Sequence, residues 1–194
     1  RLARRALVLF VLGVLYSGGL NKGLDQVRWL GVLQRIALAS LGAGLLFLWL
    51  RPRALVATCA ALLLGYWALL ALVPFPGGTP GDFTEGKNIV NWFDAQFLPG
   101  RKYDGDHDPE GILSTLPAIA GSLLGVLTGI FLRTSHASES RKSLLLIAGG
   151  TALVAVGLLW SIPFPVIKKL WTSSFVLLTA GWSAILLGVF HQII

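Results

Sequence analysis

Apolar residues along this chain fall in long blocks rather than in the alternation of a strand or the single stripe of a surface helix, and the charges gather between the blocks. A helix needs about 20 predominantly apolar residues to cross the roughly 30 Å hydrocarbon core of a bilayer. Six blocks meet or approach that length: 6–20, 29–50, 54–73, 112–132, 143–162 and 172–194. The first is short, and Arg5 and Lys22 at its ends extend its reach by snorkelling to the interfaces. The second is interrupted only by Arg35. The pattern predicts an all-α, polytopic transmembrane helical bundle of about six spans, forming one domain over 1–194 with no internal repeat.

One long connection breaks this rhythm, from Pro74 to Gly111. Glycine and proline crowd PFPGGTPGDF and LPGRKYDGDHDPEG, yet NIVNWFDAQFL between them sets Ile89, Val90, Trp92, Phe93 and Phe97 at helical spacing. That spacing predicts a short amphipathic helix over 88–98, lying on the outer surface. Loops longer than about 15 residues in a compact protein are usually functional or disordered, and the helix favours function.

Composition agrees with the pattern: 55% of residues are hydrophobic, 13% are charged, and mean hydropathy is +0.74. The lipid bilayer is therefore the first expected partner. Charge adds an orientation, because basic residues of short loops stay on the cytoplasmic side. Alternate connections hold Arg1, Arg4 and Arg5, then Arg51 and Arg53, then Arg133, Arg141 and Lys142. The opposite set holds Lys22 and Arg28 with Asp25, then the long loop, then Lys168 and Lys169. The long loop carries Asp82, Glu85, Asp94, Asp104, Asp106, Asp108 and Glu110 against Lys87, Arg101 and Lys102. The expected protein is multi-pass, with its amino terminus cytoplasmic and the acidic loop outward. The net charge of +7 is spread over helix ends rather than gathered in one stripe, which argues against a nucleic-acid partner. Cys59, alone in an apolar span, reads as a small buried thiol.

Candidate chemistry lies at the outward ends of the spans. In HDPEG, Asp108 is a good helix N-cap, Pro109 suits the first helical position, and Glu110 complements the positive end of the helix dipole. In WLGVLQRIALAS, Gln34 and Arg35 follow a run of uncharged residues, which sets the guanidinium inside the span, where an ionisable group marks a candidate site. In IPFPVIKKLWTSSFVLL, two prolines precede Lys168, Lys169 and Trp171, followed by Thr172, Ser173 and Ser174. An interfacial aromatic belt with a basic anchor and a helix cap accounts for the same residues without any site. Matching depths predict a partly buried ion pair between Arg35 and Asp108 or Glu110. Pro117 predicts a kink in the fourth span. Gly121, Gly125 and Gly129 form a small-residue stripe suited to helix–helix contact.

GVLQRIA, the segment NIVNWFDAQFLPGRKYDGDHDPEGILSTLPAIAGSLLGVLTG and PVIKKLWTSSFVLLTAGW together resemble the bacterial relatives of heparan-alpha-glucosaminide N-acetyltransferase, a family of multi-pass membrane acyltransferases. The resemblance runs from about Gly31 to the last span. It implies a protein of the bacterial cytoplasmic membrane that transfers an acetyl group from acetyl-CoA to an amine or hydroxyl of a glycan or amino-sugar acceptor, with no metal, and it leaves a homo-oligomer open. Asp108 and Glu110 would then be catalytic, orienting a base or holding sugar hydroxyls. Gln34, Arg35, Lys168, Lys169, Trp171 and Ser173 would bind substrate or acetyl-CoA, although phosphates arriving from the cytosol would meet Arg51, Arg53 or Arg133 first. The family's essential histidine belongs to a motif upstream of the matched region; His107, His136 and His191 do not sit in it, so the chain reads as the C-terminal portion of a longer protein and as catalytically incomplete by itself. A transporter or non-catalytic binding subunit, with a discontinuous helix around Pro163 and Pro165, is the alternative. Against it stand the lack of an inverted repeat and of an ionisable residue at the middle of any span.

Overall fold

The computed structural model describes residues 1–19 and 23–193, so Lys22 and the snorkelling role expected of it lie outside the described residues. Among the described residues the chain is all-helical, with seven α-helices: α1 (Leu2–Tyr16), α2 (Val32–Trp49), α3 (Pro52–Leu72), α4 (Ile89–Phe97), α5 (Thr115–Thr134), α6 (Glu139–Trp160) and α7 (Ser173–Ile193). Five of them, α2, α3, α5, α6 and α7, are long and apolar enough to cross a membrane. The first block forms a 15-residue helix, α1, which packs on α2. Glycine makes that contact close: a Cβ on Gly13 would run into the Gln34 side chain.

A central core of Ala43, Leu55, Cys59, Leu63, Ala120, Leu123, Val176 and Leu177 ties α2, α3, α5 and α7 together. A second cluster of Tyr66, Leu70, Ile89, Val90, Phe164 and Leu170 fastens α4 and the 161–172 turns over the ends of the helices. The long loop, the start of α2 and the 161–172 turns thus gather at one end of the bundle, termed here the capped end. Buried polar groups fix that end to backbone: Tyr66 Oη donates to Leu170 O at 2.6 Å, Ser174 Oγ to Phe164 O at 2.7 Å, and Ser173 Oγ to Leu63 O at 2.7 Å.

The α6–α7 hairpin is built differently. A Cβ on Gly150 would come within 2.6 Å of Gly181 O, and one on Gly181 within 2.7 Å of Gly150 O. A Cβ on Gly188 would stand 2.9 Å from Ser143 O. Small residues at seven-residue spacing, Ser143, Gly150 and Gly157 facing Ser174, Gly181 and Gly188, let the two backbones approach.

Four expectations change. The glycine stripe of α5 does not seat a neighbouring helix: a Cβ on Gly121 would find only Val176, at 3.6 Å, and one on Gly125 or Gly129 nothing within 4 Å. Gly121 and Gly125 edge an open cleft between α5 and the α6–α7 hairpin, formed by adjoining cavities of about 570 and 420 Å³ that share Leu127, Thr128, Leu153 and Ala184. Asp108 does not cap α5, which begins seven residues later at Thr115, after a series of turns. Pro117 consequently sits in the first turn, where its missing N–H has no intrahelical acceptor to lose, and α5 runs unbroken from Thr115 to Thr134. The helix expected over 88–98 is present as α4, capped by Asn88, whose side chain accepts from Asn91 N at 3.0 Å. Its buried face is nevertheless Ile89, Val90, Asn91 and Asp94, while Phe97 is exposed.

Candidate functional site

The capped end is organised around a residue that sequence reasoning treated only as a loop cation. Arg28 donates from Nε to Asp108 Oδ2 at 2.8 Å and from Nη2 to Asp108 Oδ1 at 2.7 Å and Glu110 Oε2 at 2.6 Å. Its guanidinium also lies 4.9 Å from the centre of the Tyr103 ring. The short stretch before α2 is held in place for this purpose. Arg101 N donates to Val27 O at 3.0 Å, and Gly100, at φ 74°, passes so close to Val27 O that a Cβ there would collide. Gln34, fully buried, donates from Nε2 to Arg28 O at 3.2 Å.

Asp108 is also buried, and it accepts from the amides of Tyr103 and Glu110, each at 3.0 Å, besides Arg28. Burial pushes its carboxyl up, but the Arg28 bonds and charge and the two amides outweigh that, leaving it below the usual carboxylate range. With both oxygens engaged, Asp108 is a clamp rather than a free base. Glu110 goes the other way: burial, helped by the Asp108 charge beside it, raises its pKa against the pull of Arg35 and Arg28. Arg28 itself is raised, first by its hydrogen bond to Asp108.

Arg35 does not pair directly with either carboxylate. It is buried; its Nη2 donates to Pro109 O at 2.6 Å and to Ser114 Oγ, and its guanidinium stacks 4.7 Å from the centre of the Trp171 ring. The expected ion pair between α2 and the 108–110 turn therefore exists with Arg28 in place of Arg35. The two arginines are seven positions apart, and the loop position reaches the carboxylates while the helical one reaches the turn backbone behind them. Among the described residues, Arg35 Nε and Nη1 have no partner. Trp171 takes a left-handed backbone, φ 54°, costly for a bulky residue, and so aims its ring over Arg35.

A cavity of about 410 Å³ opens beside these groups, lined by Arg28, Val32, Tyr103, Pro109, Glu110, Lys168, Lys169 and Trp171. A neighbouring cavity of about 510 Å³ shares Arg28, Val32 and Tyr103 with it. Of the residues singled out from sequence, Glu110, Lys168, Lys169 and Trp171 meet in the first cavity, Gln34 lines the second, and Asp108 and Arg35 support the wall. Ser173 lies apart, buried and bonded to α3. Arg28 was missed because a basic residue just before a span reads as a topology determinant. Its one distinguishing sequence feature is the WLG that follows, where an apolar segment continues straight into α2.

Asp94 was missed as well. Fully buried on α4, it accepts from Ile112 N at 2.9 Å, and Gly111 presses so close that any Cβ would overlap the carboxyl. Burial pushes its pKa up to about 6, against the Ile112 amide. No protein-family model matches the chain, and no curated protein aligns with it significantly.

Proposed function

We propose that this protein is a membrane acyltransferase that moves an acetyl group from acetyl-CoA to an amine or hydroxyl of a sugar, at a site in the capped end. The observation that carries the reading is one cavity in which a carboxyl of raised pKa, Glu110, stands among Arg28, Lys168 and Lys169. An acyl transfer needs a proton acceptor for the nucleophile and cations for the phosphates of the donor. Glu110 is the acceptor that this cavity offers. As the sugar nitrogen or oxygen bonds to the thioester carbonyl carbon, Glu110 takes its proton; the C–S bond then breaks and the CoA thiolate leaves. Lys168 and Lys169 face the phosphates, and Trp171 gives a flat face for a sugar ring or adenine. The motif resemblance and the distribution of basic loops support placing the capped end outside the bacterial cytoplasmic membrane, with the amino terminus inside.

The test uses detergent-purified protein with acetyl-CoA and glucosamine, reading free CoA release and acetylated sugar by mass spectrometry. Turnover that falls about 10²–10⁴-fold in Glu110→Gln, with acetyl-CoA binding retained, is the expected result. Binding of acetyl-CoA without any CoA release would instead favour a non-catalytic binding protein. Absence of acetyl-CoA binding would remove the acyltransferase reading.

A further inference from the structure

His107 is deeply buried for a loop residue, with a side chain only 8% exposed. Its Nδ1 lies 2.5 Å from Asp106 Oδ1. An ionised carboxylate can only accept, so Nδ1 is the donor of this pair, and in the neutral imidazole Nε2 is then the nitrogen with the free lone pair. Among the described residues that Nε2 has no hydrogen-bond partner. It points instead at two carboxylate oxygens, Glu85 Oε1 at 3.6 Å and Asp104 Oδ2 at 3.9 Å.

The geometry points to a divalent transition-metal site, of the zinc class, made by Glu85, Asp104 and His107 and oriented by Asp106. The three ligand atoms all lie within 4.8 Å of one another. Bonds of about 2.0–2.2 Å in a tetrahedral shell put ligand atoms about 3.3–3.6 Å apart, so closing on an ion takes movements of up to about 1 Å. Imidazole with carboxylates suits zinc, cobalt or manganese better than calcium or magnesium, which take oxygen ligands. A metal-binding histidine nearly always gives its other N–H to a carboxylate or carbonyl, and Asp106 fills that place. A small cavity of about 40 Å³ adjoins, lined by Glu85, His107, Lys169, Asn91 and Pro109 among others, with room for a water on the fourth position.

Lys169 brings a cation of its own to the two carboxylates. Its Nζ pairs with Glu85 Oε1 and lies 3.1 Å from Asp104 Oδ2. A bound ion displaces that amine, and the residue already lines the about 410 Å³ cavity on its other side. Metal binding would thereby hand Lys169 to that cavity.

Cobalt(II) alone, titrated into the detergent-purified full chain and followed by visible absorption, tests the site; zinc then competes the signal away. One equivalent with the strong d–d bands of a four-coordinate ion is expected. Asp106→Asn changes only an exposed side chain and should weaken binding about 10–100-fold. Lys169→Ala, by removing the competing amine, should bind several-fold more tightly. His107→Ala should abolish the signal, and if it fails to fold, the other two variants decide. A simple ion-pair network would bind no cobalt at micromolar protein, or would bind it equally well in wild type and Asp106→Asn; either result overturns the proposal.

Discussion

In the α6–α7 hairpin two backbones meet through Gly150 and Gly181, and among the described residues His191 Nε2 and Glu139 Oε2 make a polar side-chain contact between the helices, 2.8 Å apart at the far end. At the capped end the order is reversed: Arg28, Asp108, Glu110, Gln34 and Ser173 are joined to each other or to backbone by hydrogen bonds, and few contacts depend on close backbone approach. The difference follows from the surroundings. Between spans, lipid is as apolar as leucine, so helices associate through packing area, which small residues increase. In a polar loop folded over helix ends, hydrogen bonding to buried donors and acceptors dominates, because one left alone costs about 1–3 kcal/mol, and Arg35 Nε and Nη1 and His107 Nε2 are exceptions. The hairpin should therefore be sensitive to volume and the cap to charge.

The largest effect is expected from Asp108→Ala. It removes two acceptors of Arg28 and those of two amides. Breaking a fully buried pair costs about 3–5 kcal/mol; here Arg28 keeps Glu110, so about 2–3 kcal/mol is expected, read as a lower Tm in detergent. Asp108→Asn should recover part of it. An unchanged Tm in Asp108→Ala would mean that the cap is not held by this clamp.

Next comes a pH effect at Asp94. An aspartate ordinarily titrates near 3.9, and burial raises this one to about 6, so the folded state binds more protons than the unfolded state between those values. Stability from this group is complete below about pH 4 and is lost as pH rises through about 6. The ionisable groups around Asp94 include Asp108, His107, Arg35 and Tyr66. Comparing wild type with Asp94→Asn across pH 4 to 7 isolates the effect, since asparagine keeps an acceptor for Ile112 N. The wild type should lose on the order of 2 kcal/mol relative to the variant over that window. Parallel curves would show that Asp94 is not buried as an acid.

On the hairpin side, Gly181→Ala places a methyl 2.7 Å from Gly150 O. Overpacking of about 1–3 kcal/mol is partly offset by the better helix propensity of alanine, up to about 1 kcal/mol. A net loss of about 1 kcal/mol is expected, and a larger one for Gly181→Leu. Thermal unfolding of both variants checks the order.

How much of this was legible follows the same division. Uninterrupted apolar runs locate α2, α3, α5, α6 and α7 to within a few residues, because hydrocarbon solvent constrains length and leaves little choice of structure. Helix α4 was legible from its spacing and its Asn88 cap, but its buried face was not. Asn91 and Asp94 turn inward because loop backbone on either side of α4 binds them: Gly86 N donates to Asn91 Oδ1 and Ile112 N to Asp94 Oδ1. DPE reads as a helix start for sound local reasons. The start moves to Thr115 since Asp108 is spent on Arg28, 80 residues away. The candidate cavity was half legible: Glu110, Lys168, Lys169 and Trp171 carried charge or aromatic signals near predicted span ends, whereas Arg28 carried only a topology signal. Which arginine reaches a carboxylate depends on tertiary path, which spacing does not encode.

The smallest effect sharpens the comparison most, because it concerns the same residue type as Gly181 in a different setting. Gly125 lies on a four-residue stripe that promises helix contact, while Gly150 and Gly157 lie seven apart. Yet a Cβ on Gly125 meets nothing within 4 Å, whereas one on Gly150 meets Gly181 O at 2.6 Å and one on Gly157 meets Leu178 N at 3.1 Å. Four-residue spacing seats a partner only where a partner comes close, and α5 faces the open cleft instead. Gly125→Ala should thus add no strain and should leave stability unchanged or raise it by up to about 1 kcal/mol through helix propensity. Gly129→Ala should behave alike. Loss of stability in these variants, comparable to that of Gly181→Ala in the same detergent, would show that the cleft is closed in the protein and that the α5 stripe packs against a helix after all.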